Sequence, residues 1–165
     1  MRLQDIGYQI RQARIARELT QSQLANAAKV SRTTLNQLEN GLFPDLGIKK
    51  LRAILDQVGL ALAIQPAEKT NAPDFVRMAC TTANVSYREA LSEDELIRAL
   101  LTGKIPAGRR PHFRTLLDEA TPALLQGLAQ EVSRWTKPGR LEKNLGMIAK
   151  DINSKREIGE WLKTG

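Results

Sequence analysis

The sequence predicts an all-α protein built from two domains. Apolar residues recur at helical spacing through most of the 165 residues, and Ser, Thr, Pro and Gly stand where helices should start and stop. A single short stretch, Leu60–Ile64, alternates in the manner of a strand, with Leu60, Leu62 and Ile64 separated by smaller residues. The expected organisation is a helical domain over residues 1–65 closed by that short terminal β-strand, a linker over 66–73, and an all-helical domain over 74–165.

In the first domain, Ile6, Ile10, Ala13 and Arg17 predict a helix from Leu3 to about Glu18. Thr20 with Gln23 fits a capping box for a second helix over about 21–28. Ala25 stands where two helix backbones must approach closely, and Val30 anchors the turn. Ser31 can accept from the amides of a third helix, about 31–40, which Leu35 and Leu38 plug into the core. Gly41 ends it. After the loop Leu42-Phe43-Pro44-Asp45, the residues Ile48, Leu51, Ile54, Leu55 and Val58 predict a fourth helix ending at Gly59.

The stretch QPAEKTNAP has linker composition, and no strand signal follows it. Ser92-Glu93-Asp94-Glu95 is a capping box ahead of Leu96, Ile97, Leu100 and Leu101. Thr121-Pro122 places an N-cap before a proline at the first helical position, followed by Leu124, Leu125, Leu128 and Val132. Pro138-Gly139 breaks the chain before Leu141, Leu145, Ile148 and Ile152, and a last short helix could hold Ile158, Trp161 and Leu162.

Charge and composition bound the function. Lys and Arg outnumber Asp and Glu by 25 to 18, and a pI of 9.9 favours a polyanionic partner. The lone Cys80 excludes an internal disulfide and fits a reducing compartment. No window is long and apolar enough to span a bilayer, so a cytoplasmic protein without a membrane partner is expected. The sole histidine, His112, has no Cys or Asp arranged around it, and neither a phosphate-cradling glycine loop nor a Cys/His cluster is present. No enzyme, no metal and no cofactor are expected.

Two short helices joined by a tight turn, the second apolar on one face and polar on the other, form a helix-turn-helix, and this points to sequence-specific binding of double-stranded DNA. Residues 3–64 resemble the lambda-repressor-like, xenobiotic-response-element family of phage repressors and bacterial regulators. The matching residues are Arg14, Gln21, Leu24-Ala25, Val30-Ser31, Thr34-Leu35 and Leu38-Glu39-Asn40-Gly41. The continuation LGIKKLRAILDQVGLALAI is similar to HipB-like antitoxins, whose domain ends in a short strand at the dimer contact. The resemblance implies a five-helix-type repressor domain over about two-fifths of the chain, and it stops short of residues 74–165.

Arg32, Thr33 and Asn36 should share the outer face of the third helix, opposite Leu35 and Leu38, with Gln37 a secondary candidate. Residues at the start of such a helix reach base edges in the major groove. Arg32 can present two donors to guanine, Asn36 could pair with adenine, and Thr33 suits a thymine methyl or a phosphate. The resemblance implies phosphate contacts for Gln21 and Asn40, with simple C-terminal capping the alternative for Asn40, and Ser31 and Thr34 are further candidates for phosphate contact. Lys49 and Lys50 offer further phosphate contacts or a solvated helix face. The resemblance also implies a partly buried ion pair between Arg14 and Glu39.

Two departures stand out. Lys29 occupies a turn position often held by glycine, and the loop after Gly41 carries no base. Relatives pair two modules on half-sites about 34 Å apart. The stretch of Leu60, Leu62 and Ile64 could join two copies edge to edge, or tuck against its own domain.

In the second domain, Arg109-Arg110, Arg114 and His112 form a basic knot beside Lys104, expected as a solvated loop with DNA flanks or an acidic partner as alternatives. Trp135 and Trp161 read as core or interface anchors. The expected function is a dimeric repressor reading an inverted-repeat operator. The alternatives are an antitoxin whose C-terminal helices bind a toxin, and a protein–protein adaptor that retains the helix-turn-helix scaffold.

Overall fold

The computed structural model describes residues 2–42, 45–64, 72–154 and 156. The chain forms two compact units, Met1–Asn71 and Ala72–Gly165. The loop residues Phe43 and Pro44, most of the expected linker, and the expected last helix with Ile158, Trp161 and Leu162 lie outside the described residues.

The N-terminal unit holds α1 (Leu3–Ala16), α2 (Gln21–Ala27), α3 (Arg32–Glu39) and α4 (Ile48–Gln57). Both α1 and α2 pack on α3, and α2 also packs on α4. Ile10, Leu24, Leu35, Leu38, Ile54 and Val58 are wholly buried at the centre, with Ala25 letting α2 approach closely. Thr20 caps α2 as a full capping box, its side chain accepting from the Gln23 amide at 3.2 Å while Gln23 Oε1 accepts from the Thr20 amide at 2.8 Å.

All four helices end in the same device. Glu18, Lys29, Gly41 and Gly59 adopt left-handed backbone with φ of 56°, 54°, 74° and 64°. The next amide in each case (Leu19, Val30, Leu42, Leu60) donates to the carbonyl five residues back, at 2.9–3.1 Å. This is the Schellman motif, in which the residue after the left-handed turn drops an apolar side chain onto the helix it has just left. At Lys29 a side chain sits where glycine is cheapest, at a cost of about 1–2 kcal/mol.

The terminal β-strand is absent: residues 60–64 have no strand structure. Leu60 packs against the core because it closes the motif at the end of α4, which mimics the first step of an alternating pattern. Beyond it Leu62 is 49% exposed and Ile64 fully exposed, with no strand among the described residues to take up their backbone bonds. The five-helix expectation also fails among the described residues, where this unit has four helices.

The C-terminal unit contains α5 (Phe75–Asn84), α6 (Glu93–Thr102), α7 (Arg110–Glu119), α8 (Pro122–Ser133) and α9 (Arg140–Ile152). The side chains of Ser92 and Thr121 cap α6 and α8 by accepting from Glu95 and Leu124 amides. Helix α5 packs on α6, α7 and α8, and α9 closes against α6 and α7. Trp135 and Phe113 are each 1% exposed and fill the centre with Leu96, Leu116, Val132 and Ile148. An apolar cavity of about 10 Å³ beside Phe113, Leu116 and Leu145 has room for one water at most.

The basic knot is the start of α7, not a solvated loop. Its charges are spent internally. Arg109 pairs with Glu89 and Glu95 at 3.2 Å each, Arg110 grips Asp151 with two bonds of 3.1 and 2.7 Å, and Arg114 donates to the Ile152 carbonyl. His112 is buried against the Tyr87 ring, with Nε2 2.8 Å from the Glu89 carbonyl oxygen.

Glu95 ties α6 to the start of α7. The Ser92 amide bond, then the Arg109 guanidinium, hold its carboxyl below the ordinary 4.5 despite partial burial. The unfolded chain lacks these partners, so the stabilisation is complete above pH 4.5 and fades as the pH falls through the lowered value. Glu95→Gln should therefore melt lower than wild type at neutral pH and lose less on acidification. Parallel melting curves down to acid pH would reject this role.

Candidate nucleic-acid interface

Helices α2 and α3 enclose the turn through Lys29 and Val30, and α3 is held by Leu35 and Leu38, both wholly buried. The opposite side of α3 carries Arg32, Thr33, Asn36 and Gln37, all exposed. Arg32 and Asn36 are one turn apart and share a face. The side chains of Arg32, Thr33 and Gln37 make no hydrogen bond or ion pair among the described residues. They therefore have donors and acceptors to spare.

Beneath that face runs a polar chain linking three helices. Arg14 on α1 grips Glu39 at the end of α3 with Nε to Oε1 at 2.6 Å and Nη2 to Oε2 at 2.9 Å, and its Nη1 donates to the Leu19 carbonyl at 2.7 Å. Glu39 is 1% exposed. Gln21, the first residue of α2, donates from Nε2 to Glu39 Oε2 at 2.8 Å and to Asn36 Oδ1 at 3.4 Å. Asn40 donates from Nδ2 to the Asn36 carbonyl at 2.7 Å and to Asn36 Oδ1 at 2.9 Å. Arg11 adds a bond of 3.3 Å to the Glu39 carbonyl, placing a cation at the end of α3.

This arrangement separates the expected phosphate contacts. The amides of Gln21 and Asn40 point inward, so what Gln21 offers outward is its backbone N–H at the start of α2, which has no intrahelical acceptor. Ser31 Oγ accepts from the Thr34 amide at 2.9 Å and meets Thr34 Oγ1 at 2.7 Å, so these two hydroxyls serve the start of α3. Lys49 and Lys50 are exposed in the first turn of α4. Leu62 and Ile64 lie apart from this polar chain, exposed beyond α4.

Sequence reasoning missed the bonds from Gln21 and Asn40 to Asn36. The Asn36–Asn40 spacing of four residues is a visible signal; the Gln21–Glu39 contact has none, because it exists only once α2 and α3 have packed.

Residues 10–64 match a family model described as helix-turn-helix. This segment is a helix-turn-helix domain. Such a domain belongs to DNA-binding regulators and not to an enzyme family. The match covers about a third of the chain and none of the C-terminal unit. No curated protein and no solved structure matches the chain. Among the described residues, no helix is long and apolar enough to cross a membrane, and no group of His, Cys, Asp and Glu could hold a metal.

Proposed function

We propose that the protein is a dimeric transcriptional repressor that reads an inverted-repeat operator, its own promoter included, through the major groove. The observation that carries this reading is the outer face of α3. Arg32, Thr33 and Gln37 stand exposed and unengaged among the described residues, on a helix whose other face is locked into the core. Arg32 opens the helix and can present its fork of donors to guanine O6 and N7. Lys49, Lys50 and the backbone N–H of Gln21 serve phosphates, which position the domain without reading sequence.

A single recognition helix touches too few base pairs for specificity, so two copies bind half-sites about 34 Å apart. The exposed Ile48, Leu62 and Ile64 supply apolar surface for that pairing. The C-terminal unit regulates or binds a partner. Its capped helices and buried core support a folded module.

The test is binding of the full chain to its own upstream DNA at two salt concentrations, beside Arg32→Ala. Wild type should form a discrete, salt-sensitive complex; the variant should lose about 1–3 kcal/mol and its preference at one base pair. A wild-type protein that binds upstream and random DNA alike would reject autorepression, and one that binds no DNA would reject the whole reading.

A further inference from the structure

The side-chain oxygen of Asn36 is already occupied. Asn40 Nδ2 donates to Oδ1 at 2.9 Å and Gln21 Nε2 donates to it at 3.4 Å. A carbonyl oxygen has two lone pairs, and both are taken. Each donor is anchored elsewhere. Asn40, 8% exposed, makes its second bond to the Asn36 main-chain carbonyl at 2.7 Å. Gln21 is fixed by its bond of 2.8 Å to Glu39, which Arg14 clamps from the other side. Rotating the Asn36 amide would set its NH₂ against two other NH₂ groups with no acceptor among them. What Asn36 presents from the exposed face of α3 is therefore Nδ2, a pair of N–H donors.

Resting on the reading of α3 as the recognition helix, we propose that Asn36 is a specificity-determining residue that reads guanine through donors alone. Pairing with adenine needs both halves of the amide, the nitrogen donating to N7 and the oxygen accepting from the N6 amino group. With Oδ1 tied back, adenine offers one acceptor and leaves its amino group facing no partner. Guanine presents O6 and N7 side by side, both acceptors, and matches two N–H groups on one nitrogen. Thymine offers a single acceptor beside a methyl group, and cytosine offers only a donor. The expectation of adenine at this position, drawn from Asn as a residue type, is thus reversed by its neighbours Gln21 and Asn40.

The experiment is selection from randomised operator DNA by the full chain, comparing wild type with Asn36→Ala and Asn36→Asp, each checked for an unchanged melting curve. The base pair whose preference collapses in Asn36→Ala is the one Asn36 reads. There the wild type should favour guanine over adenine by roughly 2- to 12-fold, the worth of one hydrogen bond. Asn36→Asp, which replaces the donors by acceptors, should move the preference towards cytosine, whose N4 amino group donates. Adenine preferred at that pair, or an Asn36→Ala profile identical to wild type at every position, overturns the proposal while leaving the regulator reading intact. A wild type with no sequence preference anywhere overturns both.

Discussion

Arg14→Ala should destabilise the N-terminal unit by about 3–5 kcal/mol, although Arg14 lies outside the reading face of α3. Its guanidinium meets Glu39 with two bonds of 2.6 and 2.9 Å, and the pair is nearly dry, with side chains 13% and 1% exposed. The energy at stake is mostly the cost of leaving the Glu39 carboxylate in the core with only the Gln21 amide beside it. Replacing both partners, as in Arg14→Met with Glu39→Leu, should recover most of the stability, since neither charge then remains buried. The double variant should still lose DNA affinity, because Gln21 no longer has the carboxylate that fixes it and Asn36 loses one of the donors on its oxygen. Amide exchange in α1 and α3 of the full chain would read the effect. A rise of less than tenfold in Arg14→Ala, or about 1.4 kcal/mol, would mean that the pair stabilises little.

What the sequence makes legible depends on how far its causes reach along the chain. The caps at Thr20, Ser92 and Thr121 are readable because each bond closes within three residues. The strand at Leu60–Ile64 is misread for the same local reason. An apolar residue directly after a left-handed glycine looks like the start of an alternation, and only the bond from the Leu60 amide to the Leu55 carbonyl tells them apart. Arg109, Arg110 and Arg114 look like a solvated patch until the fold brings Glu89, Glu95, Asp151 and the Ile152 carbonyl to them from other segments. The candidate site divides in the same way. The exposed face of α3 follows from helical periodicity, whereas the inward turn of Gln21 requires α2 and α3 to be packed together.

Gly7→Val should cost about 3 kcal/mol, the upper end for forcing volume into a packed interface. Gly7 is buried on α1 where that helix meets α3. A Cβ there would overlap the Leu38 carbonyl oxygen and come within 2.9 Å of its carbon. Both are main-chain atoms, so no side-chain rotation relieves the collision, and α1 and α3 must part. The Leu38 carbonyl also accepts the Gly41 amide at 3.2 Å in the motif that ends α3, so the disturbance reaches both the seat and the stop of the recognition helix. Specific DNA binding should weaken along with stability. Gly146 is the contrast, exposed within α9 with nothing within 4 Å of an added Cβ. There alanine should stabilise by about 0.5–1 kcal/mol, since glycine pays only its entropic cost in a helix interior. If Gly7→Val instead melts with wild type and keeps its operator affinity, then α1 does not rest on the Leu38 carbonyl, and the close approach assigned to Gly7 is wrong.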